Sequence, residues 1–116
     1  MVMYGIPNCN TVKKARVWLA SHNIHCDFHD YRKDGITKEK IQTWLTQVTI
    51  DQLINKSGMT YRNLSAEEKD ALVIVENAIA TMIAKPSIIR RPLLEDEHGK
   101  IISIGFSEEK YSLFLK

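Results

Sequence analysis

Hydrophobic positions along the chain change their spacing several times, and each change predicts a different element of secondary structure. Near the N-terminus, an apolar run ends at Tyr4, and apolar residues recur at helical spacing from Thr11 to Ser21 after a short loop. From Ile24 to Tyr31, hydrophobic and polar residues alternate, which predicts a strand with one buried face. The N-terminal part of the chain therefore predicts a β-α-β unit with parallel strands and a right-handed crossover.

The middle of the chain has helical spacing throughout. A first helix is predicted by an apolar stripe formed by Ile41, Trp44, Leu45 and Val48. A short helix is predicted over 50–54, followed by a loop that includes Tyr61. Ser65 and Glu68 have capping-box spacing, which predicts the start of a longer helix that ends before Pro86. The apolar stripe predicted for this longer helix is Leu72, Val75, Ile79, Met82 and Ile83.

The C-terminal part returns to strand-like patterns. A short strand is predicted over 87–90, and Pro92 interrupts it because proline cannot donate to a central ladder. The segments 92–95 and 100–104 flank a polar turn, which predicts a hairpin. Ser107 is expected to cap a last helix. The apolar side predicted for this helix is formed by Tyr111, Phe114 and Leu115.

The order of these elements predicts an α/β fold. A β-α-β unit followed by helices and a β-β-α unit gives a mixed sheet with helices on its faces, which is the thioredoxin-like layout (βαβ…ββα) with an inserted helical subdomain. We therefore expect a single domain over 1–116. Its core is predicted to consist of 1–34 and 86–116, and the helical insert of 35–85.

The composition is that of an ordinary globular domain. The chain has 116 residues, of which 44% are hydrophobic and 26% are charged, and it has two cysteines. The net charge of +2 is too small to argue for nucleic acid. Zinc-ligand spacing, a membrane-spanning apolar run and a secretory signal are all absent from the sequence. We expect a cytoplasmic monomer with no tightly bound cofactor, no metal, and no nucleic-acid or membrane partner.

Cys9 has the most specific chemical setting in the sequence, because it stands where the first predicted helix begins. At a helix N-terminus, the dipole and the unpaired backbone N–H groups favour a thiolate, so the pKa of the thiol should fall and its nucleophilicity should rise. Lys13 and Lys14 lie about one turn further along and add positive charge. The alternative is a small buried cysteine without chemistry. That is the role expected for Cys26, which falls on the apolar face of the second strand.

Three segments together resemble the arsenate reductase (ArsC) and Spx family: the loop around Cys9, the helical insert, and the segment 88–93, which reads Ile-Ile-Arg-Arg-Pro-Leu. The segments 4–9, 29–35 and 105–107 are most similar to the YffB-type branch of that family. The resemblance extends over essentially the whole chain and also implies a thioredoxin-like fold.

The resemblance implies roles for individual residues. Cys9 would be the nucleophile, Arg91 would bind an anion, and Pro92, typically cis in the family, would shape the pocket. Alternation along the predicted strand would put Arg90 and Arg91 on opposite faces, so at most one of them should reach the thiol. Arg91 is favoured because it matches the arginine of the family's oxyanion site. The backbone N–H groups of Asn10 and Thr11 are expected to stabilise the thiolate. The residues expected to bind substrate or glutathione are Asn8, Asn10, Thr11, Lys13, Arg91 and Pro92.

Several positions depart from the arsenate reductase pattern. Gly5 replaces a histidine of the family, Asn55 replaces an arginine of the insert, and the region of Gly105 lacks another arginine. Each charge-assisted contact to an anion is worth on the order of 1.5–3 kcal/mol, so their loss argues against efficient arsenate turnover. Lys13 or Lys56 would compensate only in part, because lysine fits a bidentate site poorly.

The Spx branch carries a Cys-x-x-Cys switch and binds the RNA polymerase α subunit, whereas Val12 occupies the second cysteine position here. The resolving thiol is therefore expected to be external. The resemblance implies a glutathione-dependent thiol-disulfide oxidoreductase that uses glutathione as a co-substrate, with glutaredoxin as a further partner, and acts on a disulfide or small oxyanion. The alternatives are a glutaredoxin-coupled arsenate reductase, a Spx-like redox-sensing regulator that binds RNA polymerase, and a family member without turnover.

Overall fold

A computed structural model describes residues 1–115 and contains a four-stranded mixed sheet. The strands are β1 (Val2–Gly5), β2 (Asp27–Asp30), β3 (Leu93–Glu95) and β4 (Ile101–Ile104). The helices are α1 (Asn10–Ser21), α2 (Tyr31–Asp34), α3 (Lys38–Leu45), α4 (Ile50–Leu53), α5 (Met59–Arg62), α6 (Ala66–Ala71), α7 (Val75–Ala84) and α8 (Glu108–Leu115). The strand order is β2-β1-β3-β4, with β1 parallel to β2 and β3 antiparallel to both β1 and β4. The predicted α/β, thioredoxin-like arrangement is confirmed.

The sheet separates two hydrophobic clusters, because successive strand residues face opposite sides. Met3 and Leu94 pack on one side with residues of α1 and α8. Tyr4 and Leu93 pack on the other side with residues of the helices between β2 and β3. The inserted helices therefore cover one face of the sheet, and α1 and α8 cover the other.

A buried carboxylate ties the insert to the sheet. Glu95 on β3 is only 3% exposed. Its oxygens accept hydrogen bonds from the Tyr4 hydroxyl at 3.0 Å, from Trp44 Nε1 at 2.9 Å and from Lys40 Nζ at 3.1 Å. Because a buried charge needs both a counter-charge and hydrogen bonds, this cluster fixes α3 relative to β1 and β3.

The second strand is shorter than the predicted alternation over 24–31. It ends at Asp30, whose side chain accepts hydrogen bonds from the backbone N–H groups of Arg32 and Lys33 and so caps α2. The chain after Asp30 therefore forms the short helix α2, which ends at Asp34 and is followed by Gly35 with a φ of 69°. The hydrogen bonds to the Asp30 side chain stabilise the start of a helix here, so the strand ends earlier than the alternation predicts.

The prediction of one long helix after Ser65 is wrong, although its start is correct. The Ser65 hydroxyl accepts from the Glu68 N–H at 3.1 Å, and the Glu68 carboxylate accepts from the Ser65 N–H at 2.9 Å. The helix then breaks after Ala71, and α7 begins anew. As a result, two members of the predicted stripe, Val75 and Ile83, are 47% and 41% exposed. Tyr61, predicted in a loop, lies in α5.

The predicted strand over 87–90 is also wrong. Pro86–Ile88 forms a 3₁₀ turn, and Ile89 makes a single antiparallel bridge to Ile54 of the insert instead of joining the sheet. The hairpin of β3 and β4 is confirmed. Ser107 caps α8 by accepting from the Lys110 N–H at 3.1 Å. The predicted apolar side of α8 is correct at Tyr111, whereas Phe114 is 54% exposed.

Candidate active site

Cys9 lies at the junction between β1 and α1, where it is the N-cap residue of the helix. Its backbone has φ −87° and ψ 125°, which is extended rather than helical. Its N–H donates to the Ile6 carbonyl at 3.2 Å, and its carbonyl accepts from the Lys13 N–H at 3.0 Å. An N-cap side chain faces the unpaired N–H groups of the first helical turn, so the thiol sits where an anion is stabilised.

The pKa of Cys9 lies below its ordinary value, although burial alone would raise it. The backbone N–H of Val12, the Arg91 guanidinium and the backbone N–H of Thr11 outweigh burial, because each interacts favourably with the thiolate. The role expected of the Asn10 N–H stays a prediction, and the N–H groups that lower this pKa are those of Thr11 and Val12. This follows from N-cap geometry, in which the side chain bonds to the second or third helical N–H.

Arg91 supplies the side-chain cation of the site. Its Nη1 donates to the Ser87 carbonyl at 2.7 Å, which holds the guanidinium in place. Its Nε is buried and has no acceptor among residues 1–115. The peptide bond between Arg91 and Pro92 is cis. Arg90 is exposed and does not contribute to the pKa of Cys9, so the structure places one arginine of the pair beside the thiol.

The insert holds the segment that carries Arg91. The Arg90 N–H donates to the Leu53 carbonyl at 2.7 Å, and the Asn55 N–H donates to the Ile88 carbonyl at 2.9 Å. Together with the bridge between Ile54 and Ile89, these bonds join the end of α4 to the chain just before the cis peptide. The sequence pattern placed this segment in the sheet, so it gave no sign of this support.

The other predicted binding residues surround the thiol at the surface. Asn8, Asn10, Thr11 and Lys13 are exposed, and Pro92 is buried beneath the site. Lys13 and Lys14 are not among the groups that shift the pKa of Cys9. Because both side chains are exposed, their charges are available to a ligand.

Cys26 lies at the other end of β1. It precedes Asp27, which pairs with Val2, whereas Cys9 follows Gly5, which pairs with Asp30. About four strand residues, or roughly 13 Å, therefore separate the two cysteines along the sheet. A disulfide needs Cα atoms within about 7 Å, so this geometry excludes one. Cys26 is only partly buried, and burial raises the pKa of its thiol.

The positions that depart from the arsenate reductase pattern are filled by local contacts. A Cβ at Gly5 would lie 2.8 Å from Val12 Cγ2, so the fold leaves no room for a side chain there. The Asn55 side-chain oxygen accepts from the Ser57 N–H at 3.2 Å and from its hydroxyl at 2.8 Å. Lys56 Nζ pairs with Asp51 at 2.9 Å. Asn55 carries no charge and Lys56 is paired with Asp51, so neither supplies an unpaired cation in place of the family arginine.

Tyr31 is a residue of this region that the sequence reasoning did not identify. It is fully buried, and its hydroxyl has no hydrogen-bond partner among residues 1–115. Burial raises its pKa well above the ordinary value, and the nearby charge of Arg91 opposes that rise. The phenol therefore stays protonated close to the guanidinium. A tyrosine at the end of an alternating segment carries no sequence signal for this position.

Among residues 1–115, no group of His, Cys, Asp or Glu side chains is arranged to hold a metal ion. In the same part of the chain, no helix is long and apolar enough to cross a membrane.

The ArsC family matches residues 4–114, which is nearly the whole chain. The chain belongs to the ArsC family. Among solved structures of similar proteins, the YffB (PA3664) protein has a TM-score of 0.89 and 38% sequence identity, with 99% of this chain and 98% of that chain covered. An arsenate reductase (ArsC) related protein from Brucella melitensis has a TM-score of 0.78 and 40% identity, with 99% and 93% covered. The predicted resemblance to the YffB-type branch is confirmed.

The ArsC family also connects this chain to regulators. The global transcriptional regulator Spx of Lactiplantibacillus plantarum is 28% identical over 118 residues, covering 99% of this chain and 86% of that protein. The predicted resemblance to Spx is thereby confirmed. Because this relative is a transcriptional regulator, the comparison does not support the expectation that the chain has no nucleic-acid partner.

Proposed function

We propose that this ArsC-family protein is a glutathione-dependent thiol-disulfide oxidoreductase that uses Cys9 as its single nucleophile. The main support for this proposal is that Cys9 has a stabilised thiolate and no second thiol within reach. A stabilised thiolate is reactive near neutral pH. Because Val12 stands at the position of a second cysteine and Cys26 is too distant, an external thiol has to complete the cycle.

The proposed cycle has two exchange steps. The Cys9 thiolate attacks the glutathione sulfur of a mixed disulfide R–S–S–G, forming a Cys9–glutathione disulfide and releasing R–S⁻, which takes a proton from solvent. A glutathione thiolate then attacks the glutathione sulfur of this adduct, releasing the Cys9 thiolate and forming glutathione disulfide. The net reaction converts R–S–S–G and one glutathione into R–SH and glutathione disulfide.

Three groups of the chain support these steps. The N–H groups of Thr11 and Val12 stabilise Cys9 as the attacking thiolate and again as the leaving thiolate. Arg91 adds a positive charge to the same sulfur. The exposed Lys13 and Lys14 lie four and five residues beyond Cys9 on the same helix and suit the carboxylates of glutathione, which is an anion at neutral pH.

The second candidate is a glutaredoxin-coupled arsenate reductase. The buried Arg91 Nε–H favours it, because this donor has no acceptor within residues 1–115 and points to a site for an oxygen ligand. The occupied positions of Gly5, Asn55 and Lys56 weigh against it, since they leave Arg91 as the main side-chain donor for a tetrahedral anion.

A coupled assay tests the proposal. Oxidation of NADPH is followed with glutathione, glutathione reductase and the mixed disulfide of glutathione and 2-mercaptoethanol, for the wild type, Cys9→Ser and the matched control Cys26→Ser. We expect turnover by the wild type and by Cys26→Ser, and background rates with Cys9→Ser. Wild-type rates no higher than background would refute the proposal. Turnover only when arsenate and glutaredoxin replace the mixed disulfide would establish the second candidate.

A further inference from the structure

A basic groove runs along the outer edge of the sheet. We name it the β4 groove; it has a volume of about 640 Å³ and is lined by residues of the insert, β4 and α8 and by Arg90. Its lining includes Gln47, Asp51, Arg90, Lys100, Ile104 and Lys110. Strand β4 is the last strand of the sheet, so one side of its backbone faces this groove instead of another strand.

The backbone of β4 presents hydrogen-bonding groups to the β4 groove. The Gly105 N–H donates inward to the Pro92 carbonyl at 2.8 Å. Because backbone groups of an antiparallel strand point alternately to its two sides, the N–H and C=O of Ile104 point outward. An outward N–H and C=O on an edge strand form a template for a further strand.

At one end of the β4 groove, the side-chain amide of Gln47 makes the hydrogen bonds that a neighbouring strand would make. Its Oε1 accepts from the Ile101 N–H at 2.7 Å, and its Nε2 donates to the Gly99 carbonyl at 3.0 Å. A side-chain amide thus makes the donor and acceptor pair that a neighbouring peptide group would make. It satisfies the edge at Gly99 and Ile101 and leaves the Ile104 end open.

The positive charges that line the β4 groove favour a ligand that carries negative charges. Arg90, Lys100 and Lys110 are exposed, whereas the carboxylate of Asp51 is paired with Lys56 at 2.9 Å. The open groove is therefore positively charged. An extended segment that carries carboxylates on the groove-facing side would satisfy both the backbone groups and these cations.

The position of the β4 groove connects it to Cys9. Ile104 pairs with Leu93, which pairs with Tyr4 next to the Cys9 loop, and Arg90 directly precedes Arg91. A strand added beside β4 would lie three strand spacings from β1, or about 14 Å. About four extended residues cover that distance. A partner docked in the groove could therefore deliver a disulfide near its docked segment to Cys9.

We propose that the β4 groove binds an extended acidic segment of a partner protein by strand addition to β4. The role of this binding in substrate capture rests on the function proposed above, whereas the binding itself does not. A protein thiol carried by such a partner, in mixed disulfide with glutathione, would then be the preferred substrate class.

The binding test uses nuclear magnetic resonance of the reduced, ¹⁵N-labelled wild type and a capped hexapeptide that alternates Glu and Val. We expect shifts concentrated at the Ile104 amide and the Gln47 side-chain amide. A matched peptide in which every backbone nitrogen is methylated lacks the backbone donors and should bind at least about tenfold more weakly. Equal binding of the N-methylated peptide, equal binding of a Lys-Val peptide, or shifts confined to other surfaces would overturn the proposal.

A pair of charge-matched variants links the β4 groove to turnover. Lys100→Glu/Lys110→Glu should weaken peptide binding and slow the reduction of a glutathionylated acidic peptide by about tenfold or more, but leave turnover of the small mixed disulfide unchanged. Lys33→Glu/Lys38→Glu makes the same charge change on α2 and α3 and should alter neither. Equal effects of both double variants would contradict the proposal. Failure of the wild type to reduce the small disulfide, with peptide binding intact, would refute only the proposed oxidoreductase function.

Discussion

At the scale of single residues, the reactivity of Cys9 comes from its position as an N-cap with Arg91 beside it. Cys26 has the same thiol chemistry but lies near the opposite end of β1. Burial raises the pKa of Cys26, whereas the helix N–H groups and Arg91 lower the pKa of Cys9 in spite of its burial. The surroundings therefore give two identical side chains opposite tendencies to ionise.

The pH dependence of alkylation measures this difference. In the wild type, the rate of Cys9 modification by iodoacetamide should level off at a pH below that of a free thiol, because the thiolate forms earlier. Arg91→Ala should move this inflection to higher pH and slow the reaction several-fold at pH 7. Arg90→Ala is the control and should leave the profile unchanged. An identical profile for wild type and Arg91→Ala would contradict the assigned electrostatic role.

Val12 packs so closely against Gly5 that position 5 has no space for a side chain. Gly5→Ala should lower the free energy of unfolding by about 1–3 kcal/mol, because the new Cβ would lie 2.8 Å from a buried valine methyl. Adding Val12→Ala should recover part of this loss, so the two substitutions should be non-additive in urea denaturation. Strict additivity would show that the strand shifts and that the contact does not limit this position.

At the scale of secondary-structure elements, polar contacts position the insert as much as hydrophobic ones. Glu95 on β3 binds Lys40 and Trp44 of α3 together with Tyr4 of β1. Burial and the hydrogen bond to Glu95 raise the pKa of Tyr4, so its phenol remains a donor over the ordinary pH range. The cluster fixes how α3 lies on the sheet.

Removing the cation from this cluster should destabilise the fold. Lys40→Met leaves the carboxylate of Glu95 with neutral donors alone, and we expect a loss of roughly 1–3 kcal/mol in the free energy of unfolding. Lys38→Met removes an exposed charge from the same helix and should change stability by no more than about 0.5 kcal/mol. Urea denaturation of both variants checks the expectation. Equal stability of Lys40→Met and wild type would show that Glu95 does not need its ion pair.

At the scale of the whole molecule, the sheet keeps the two thiols apart and brings together segments that are distant along the chain. Cys9 and Arg91 meet because β1 and β3 are neighbours, with Tyr4 opposite Leu93. Cys26 remains at the far end of the parallel pair formed by β1 and β2. The fold thus combines one reactive thiol with one cation and excludes an internal disulfide.

Oxidation with glutathione disulfide should therefore yield a glutathione adduct on Cys9 and no bond between the two cysteines. Intact-mass measurement under non-reducing conditions distinguishes these products. Cys26→Ser should give the same adduct, whereas Cys9→Ser should give much less. An internal disulfide in the wild type would require the ends of β1 to approach each other, which would contradict the sheet geometry.

Much of the fold could be predicted from the sequence because its signals are local. The start of α1 near Cys9, the capping box at Ser65 and the hairpin of β3 and β4 each depend on residues a few positions apart. The 3₁₀ turn before Ile89 could not be predicted in this way, because a long-range bridge between Ile89 and Ile54 holds this segment. The break between α6 and α7 was not predicted either.

The order of elements and the helix-terminal position of Cys9 could be derived from the sequence, because spacing and alternation depend on residues a few positions apart. The choice of Arg91 over Arg90 came from the family resemblance, since the strand expected over 87–90 is not formed. The tertiary structure was needed to show that Arg91 lies beside Cys9, that Tyr31 lies near Arg91 and that Cys26 is out of reach of Cys9. These facts depend on distances between segments far apart in the chain, which a one-dimensional pattern does not contain.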